Sequence, residues 1–288
     1  MEVFKTFFLL TLMTLFFVWV GNMLGGTQGM VLAFIIAVGM NFFSYFNSDK
    51  LVLKHYHAVE VDEQSARGLY AMVKRLSKKA GVPVPKVYII PDRIPNAFAT
   101  GRNHSHAAVA VTEGLLDLLE DDEVEGVLAH EMSHVKHYDI LIGTIAATLA
   151  GAIAMLSNFM YMFGGNRENR PNPMVMMVLM IVTPVVASII QMAVSRNREF
   201  LADEGAAKLT GHPEWLQSAL SKLDSYSRRG TLHDATPETS HMFIINPLTG
   251  KDFSLQSLFS THPSTEDRIR RLEDFKSSHA HTTLYDRY

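Results

Sequence analysis

Hydrophobic and polar positions follow two regimes along this chain. In three stretches, 6–48, 140–165 and 171–195, no Asp, Glu, Lys or Arg interrupts the apolar residues, whereas elsewhere polar and apolar positions alternate at helical or strand spacing. The first stretch is too long for one ~20-residue membrane span. The Gly-rich segment GNMLGGTQG at 21–29 divides it, so the pattern predicts helices over about 6–20 and 30–46 in a tight hairpin of spans. A cleaved signal peptide is disfavoured, because no A-x-A-like site follows Val20 and a second apolar run begins at once. At ~1.5 Å per residue, a helix over 140–163 would reach about 36 Å and one over 174–195 about 33 Å, each enough to cross a bilayer. Pro184 predicts a kink in the last span, where neighbouring groups of a membrane bundle can satisfy the freed carbonyl.

Between the apolar runs lie two polar segments, 49–139 and 196–288, with the periods of a folded domain. Positions 61–79 read as an amphipathic helix ended by Gly81 and Pro83, 86–90 as a β-rich run, 91–101 as loop and short strand, and 107–111 as another strand. Thr112 can cap the helix EGLLDLL, and a further helix begins after Asp121 and Asp122. No internal repeat or low-complexity tract stands out. Neither polar segment is expected to fold well alone. The organisation expected is therefore an N-terminal transmembrane hairpin (1–48), the first part of a soluble domain (49–139), a second hairpin (140–195) and the rest of that domain (196–288).

Charge adds an orientation. With four spans, Lys5, Lys50, Lys54, Lys136, Arg196 and Arg198 lie on one side, and Arg167, Glu168 and Arg170 on the other. The positive-inside rule makes the first side cytoplasmic, together with both termini and both polar segments. The net charge of −3 argues against a nucleic-acid partner, and zero cysteines exclude disulfides and thiolate metal sites. A metal here must use His, Asp or Glu.

Such a set is present. In HEMSH, His130 and His134 stand four apart on a predicted helix, one turn and about 40° from each other. Both imidazoles can reach one ion, and Glu131 is close enough to address a water bound there. A catalytic zinc usually takes three protein ligands, and no third His follows at the extended HExxHxxGxxH spacing, since residue 140 is Ile. The apolar hairpin indicates where the third ligand lies: His134 precedes it by six residues (~9 Å of helix) and Glu199 follows it by four (~6 Å). The chain returns to the height at which it left. Glu199 then arrives at the level of the histidines, and Asp203, one turn later, can orient a ligand imidazole. Pairing with Arg196 or Arg198 is the bland alternative for Glu199.

HEMSH, the apolar pair after it, SRNREFLAD (195–203), PNAFATG (95–101) and THPSTEDRI (261–269) together resemble the M48 family of membrane zinc metalloproteases, over essentially the whole chain. HExxH alone is shared by many zincins; its combination with ExxxD after a span hairpin is much narrower. The resemblance implies a mainly α fold with a small β-sheet, four transmembrane helices and a cytoplasmic zincin-like (gluzincin) protease domain. It implies one Zn2+ per chain on His130, His134 and Glu199, Glu131 as catalytic base, and Asp203 behind a ligand. It suggests that Asn96, Ala97, Phe98, Ala99 and Thr100 form an edge strand along which an extended substrate peptide lies. It also places the 261–269 segment near the site, where His262 either stabilises the oxyanion or caps the C-terminal helix begun by Pro263; Arg268 has no evident role.

The activity implied is that of a zinc-dependent endopeptidase in the bacterial inner membrane. Its partners would be the bilayer and misfolded or damaged membrane proteins, or other unfolded polypeptides, cut on the cytoplasmic side in quality control and stress response. A catalytically idle zinc-binding scaffold or sensor is the alternative, and His2Glu ligation would also accept manganese, iron or cobalt. A transporter is disfavoured, because the spans carry only weak polar groups such as Asn158 and Gln191. The paired histidines at 55/57, 104/106 and 279/281, and His137, read as surface or loop residues, and the methionines at 174, 176, 177 and 180 as span packing.

Overall fold

The structure is a computed structural model and describes residues 2–141, 196–228 and 263–285. The expected second membrane hairpin with its Pro184 kink, and His262, lie outside the described residues.

Helix α1 (Glu2–His55) consists of two arms, because Gly25 (φ −143°) and Gly26 (φ 56°, ψ −146°) leave helical geometry. Gly26 has a positive φ that residues with a Cβ rarely adopt. The arms fold back on each other: the Asn41 side-chain amide donates to Thr14 Oγ1 at 2.8 Å and to the Leu10 carbonyl at 3.3 Å. This is the hairpin that the glycine-divided apolar stretch predicts. Among the described residues one helix, Gly25–Asn47, is long and apolar enough to cross a membrane; the apolar run Thr14–Met23 in the other arm is shorter. Leu141, at the start of the next apolar stretch, packs with Leu10 and Tyr45, one from each arm.

Beyond α1 the described residues are mostly helical around a four-stranded mixed sheet of order β1-β2-β4-β3. Its strands are β1 (Val59–Val61), β2 (Lys86–Ile90), β3 (Ala97–Gly101) and β4 (Ala107–Thr112). β2 and β4 run parallel, while β1 and β3 are antiparallel to their neighbours. All six residues of β4 are buried, as suits a central strand. The helices are α2 (Arg67–Ala80), α3 (Glu113–Leu118), α4 (Asp121–His137), α5 (Arg196–Thr210), α6 (Pro213–Arg228) and α7 (Thr265–Tyr285).

Helix α2 begins later than the 61–79 pattern suggests. Val61 pairs with Val87 in the sheet, and the Asp62 carboxylate accepts the Gln64 and Ser65 N–H groups in a turn that delays the helix to Arg67. The buried stripe Leu69, Val73, Leu76 and Ala80 then faces the core, and Gly81 in the left-handed conformation ends the helix. Thr112 caps α3 by accepting the Leu115 N–H at 3.2 Å.

The two faces of the sheet are covered differently. Ala97, Val109 and Val111 join the main core with α2, α4, α5 and α6, including Val73, Leu128, Met132, Ala206 and Leu220. Phe98, Ala108, Ala110 and Ile90 form a second cluster with Val52 and Leu53 from the end of α1. Helix α1 therefore runs past the apolar boundary at 48 and docks on the sheet. Helix α4 lies at the centre, packed by α2, α5, α6 and β3.

Candidate metal centre

HEMSH occupies the last two turns of α4, whose residues 123–133 are all buried. Helix α5 crosses it closely: a Cβ on Gly205 would lie 2.1 Å from Ser133 Oγ and 2.8 Å from Ser133 Cβ. That approach sets Glu199, about one and two-thirds turns upstream of Gly205, and Asp203, about half a turn upstream, against His130 and His134. All four are largely buried.

His130 Nε2 and His134 Nε2 are 3.2 Å apart. Glu199 Oε1 lies 3.5 Å from His134 Nε2, and its Oε2 lies 3.7 Å from His130 Nε2. Two ligand atoms bound tetrahedrally at ~2.0–2.1 Å stand about 3.3–3.4 Å apart, so these separations suit one ion. Among the described residues, His130, His134 and Glu199 make the single group of three or more His, Asp or Glu arranged to hold a metal.

The other ring nitrogens settle how the imidazoles face. His130 Nδ1 is 2.9 Å from Asp203 Oδ1, and His134 Nδ1 is 3.1 Å from Asp139 Oδ2. A carboxylate can only accept, so each Nδ1 carries a proton, and each Nε2 is the nitrogen turned inward, offering its lone pair to a cation when the ring is neutral. Two lone pairs and a carboxylate converging on one point form a cation site.

Each carboxylate is backed by an arginine. Arg268, buried on α7, donates to Asp203 in a two-pronged bond from Nε (2.9 Å) and Nη2 (2.7 Å), and its Nη1 lies 4.0 Å from Glu199 Oε2. Arg268 Nη2 is also 3.4 Å from His130 Nδ1, but that nitrogen's proton is directed to Asp203 at shorter range. Arg198 Nη1 lies 3.5 Å from Asp139 Oδ1.

Electrostatics follow from this crowding. Burial pushes the Glu131 carboxyl above its ordinary range, with help from Glu199 and against the pull of His130, His134 and the Ala99 N–H. Burial alone would lower the His134 imidazole, yet Asp139, Glu199 and Glu131 outweigh it and raise it to about 9. For Asp203 burial works upward, and the Arg268 guanidinium overrides it, holding the carboxyl below its usual range.

Glu131 does not point into the main core. Its Oε2 accepts the Ala99 N–H of β3 at 2.8 Å, which joins the HExxH helix to the outer strand of the sheet. The 96–100 segment is divided by its pleat. The Asn96 carbonyl accepts the Thr112 N–H, so the backbone groups of Asn96, Phe98 and Thr100 turn toward β4, while those of Ala97 and Ala99 turn to the outer side. The Phe98 ring packs 5.6 Å from Tyr56 on the far face of the sheet, away from the histidines.

The structure thus brings together His130, Glu131, His134, Glu199 and Asp203, with Ala99 alongside. Sequence reasoning missed Asp139 and Arg198 and left Arg268 without a role. The signal for Asp139 was its place as the last charge before an apolar run, five residues from a candidate ligand.

Peptidase family M48 matches residues 63–276. A protease HtpX homologue of Sulfurovum sp. (strain NBC37-1) is 64% identical over 276 residues, covering 96% of this chain and 100% of that protein. One from Campylobacter hominis is 63% identical over 281 residues, covering 96% and 100%. Among solved structures, that of S. mikatae Ste24p matches with a TM-score of 0.52 at 17% identity, covering 90% of this chain and 61% of that one, a likeness of fold.

Proposed function

The chain belongs to peptidase family M48 and is a membrane zinc metalloprotease, and we propose that His130, His134 and Glu199 hold its zinc while Glu131 serves as the base of peptide-bond hydrolysis. The observation that carries this reading is the triangle of Nε2, Nε2 and carboxylate oxygen at 3.2–3.7 Å, with both Nδ1 protons directed to Asp203 and Asp139. Zinc in that position supplies a Lewis acid that polarises the scissile carbonyl and acidifies water. Glu131, adjacent to the ligands and pushed above its ordinary range by burial, takes the proton from the attacking water and returns it to the leaving amine. Asp203, clamped by Arg268, keeps the His130 ring facing inward.

The substrate is an extended polypeptide that adds to the outer side of β3, along Ala97 and Ala99 within the 96–100 segment. Its targets are misfolded or damaged membrane proteins, cut in exposed cytoplasmic segments. Support comes from the sequence positions of His134 and Glu199, six and four residues from charge-free stretches, which keep the site near the bilayer in this reading. Four spans, with termini and site in the cytoplasm of a bacterial inner membrane, complete the reading. In this reading the two arms of α1 are the first two, of which Gly25–Asn47 is long and apolar enough to cross, and the packing of Leu141 on Leu10 and Tyr45 supports a third joining the same bundle.

The test is Glu131→Gln in the full-length, detergent-purified protein. Retained zinc, with peptide hydrolysis reduced by roughly 100-fold or more, is expected for loss of a general base. Cleavage at the wild-type rate would overturn the assignment, and wild-type zinc content in Glu199→Ala would overturn the split ligand set.

A further inference from the structure

Asp203 stands behind His130, and a second carboxylate, Asp139, stands behind His134. Asp139 stands five residues after His134, and in an unbroken helix that offset is about 140° around the axis, out of reach. The helix does not continue. Tyr138 adopts the left-handed conformation (φ 64°, ψ 17°), and its N–H closes α4 onto the His134 and Val135 carbonyls. The reversal turns Asp139 back, so that Oδ2 meets His134 Nδ1 at 3.1 Å.

This unusual backbone is held from outside. The Tyr138 ring stacks on His104, with centroids 3.9 Å apart and planes 27° apart, and His104 Nε2 lies 3.1 Å from the Lys136 carbonyl. Asp139 Oδ1, the oxygen that His134 does not use, faces Arg198 Nη1 at 3.5 Å. Both side chains are largely buried. Residue 139 is the last before the apolar stretch at 140, and Arg198 is the third after that region ends at 195. The pair therefore joins the two residues that flank the charge-free stretches between 140 and 195 in the sequence.

We infer that Asp139 is a positioning residue for zinc: turned back by Tyr138 and anchored by Arg198, it fixes His134 with Nε2 toward the ion, so that metal affinity depends on the contact between Asp139 and His134. The inference rests on His134 being a ligand.

The experiment measures zinc affinity by chelator competition, and the visible spectrum of the cobalt-substituted form, in full-length detergent-purified wild type, Asp139→Ala, Asp139→Asn and His134→Ala. Asp139→Ala is expected to weaken zinc by about 10–100-fold and to alter the cobalt bands. Asp139→Asn, whose amide oxygen still accepts from Nδ1, should recover affinity to within a few-fold of wild type. Wild-type affinity in His134→Ala overturns the ligand assignment beneath the inference. Weak binding in His134→Ala beside wild-type binding in Asp139→Ala overturns the positioning role alone. Equal losses in Asp139→Ala and Asp139→Asn, with metal-free melting temperatures lowered alike, assign Asp139 to fold stability and overturn the inference as well.

Discussion

At His134, proton and metal compete for one position. Without an ion, Asp139, Glu199 and Glu131 outweigh burial and raise this imidazole to about 9, so its proton stabilises the folded state. Because the folded value exceeds the ordinary 6.5, that contribution is complete below about pH 6.5 and disappears as pH rises through about 9. Zinc needs the neutral ring, so its uptake at pH 7 must expel that proton. Calorimetric titration in buffers of differing ionisation enthalpy should show about one proton released from His134 per zinc at pH 7, falling toward none above pH 9. Metal-free protein should lose thermal stability across the same interval, and His134→Gln should flatten that loss; proton-neutral uptake at pH 7 would contradict the assignment. The candidate ligands are legible in the sequence, since a four-residue spacing and offsets of six and four residues from the charge-free stretches are local arithmetic. Asp139 was not legible, because its role depends on a left-handed turn at Tyr138 that no Gly or Asn announces. Nor was Arg268, whose partner Asp203 is 65 positions away.

Among the elements, the approach of α4 to α5 decides whether the two halves of the ligand set meet. Gly205 is the contact point, and a Cβ there would fall 2.1 Å from Ser133 Oγ and 2.8 Å from Ser133 Cβ. The serine hydroxyl can rotate away from a methyl, but Ser133 Cβ cannot leave without moving α4. Gly205→Val should therefore cost about 1–3 kcal/mol in stability, as overpacking does, and weaken zinc by separating Glu199 from the histidines. Gly68→Ala is the matching control: that glycine is exposed in α2 with open space at its Cβ, so the change should be neutral or stabilising by up to about 1 kcal/mol. Melting curves with and without chelator separate the two effects, and unchanged zinc affinity in Gly205→Val would show that α5 has room to shift. Periodicity predicted α2, α3, α4, β2 and β4 close to where they lie. It missed β1, because three residues carry too little alternation to compete with a helical pattern beginning at Val61. Only the pairing with β2 distinguishes the two.

On the scale of the whole molecule, charge alone placed a boundary at 48, between an apolar hairpin and a folded domain. The structure carries α1 on to His55, because Val52 and Leu53 are apolar residues beyond the charge-free run and are buried on the sheet. No charge pattern reports this; it depends on Phe98, Ala108 and Ala110 presenting a complementary face on the other side of a sheet that α1 precedes. The hairpin is consequently more than a tether. It backs β3, whose opposite edge bonds the Glu131 carboxylate through the Ala99 N–H. Leu53 touches none of the metal ligands, yet truncating it leaves a cavity behind the strand on which substrate is proposed to lie. Leu53→Ala should cost about 2–4 kcal/mol, as large-to-small core changes do, and most of the loss should fall on the docking of α1 against β3 and β4. Zinc stoichiometry should stay at the wild-type value, while kcat/KM for a soluble peptide falls about 5-fold or more, a ratio equivalent to ~1 kcal/mol of transition-state stabilisation. Measured side by side in detergent, zinc content and peptide hydrolysis then separate the ion's support from the strand's. Unchanged kcat/KM beside a lowered melting temperature would mean that the α1 contact stabilises the domain without positioning β3.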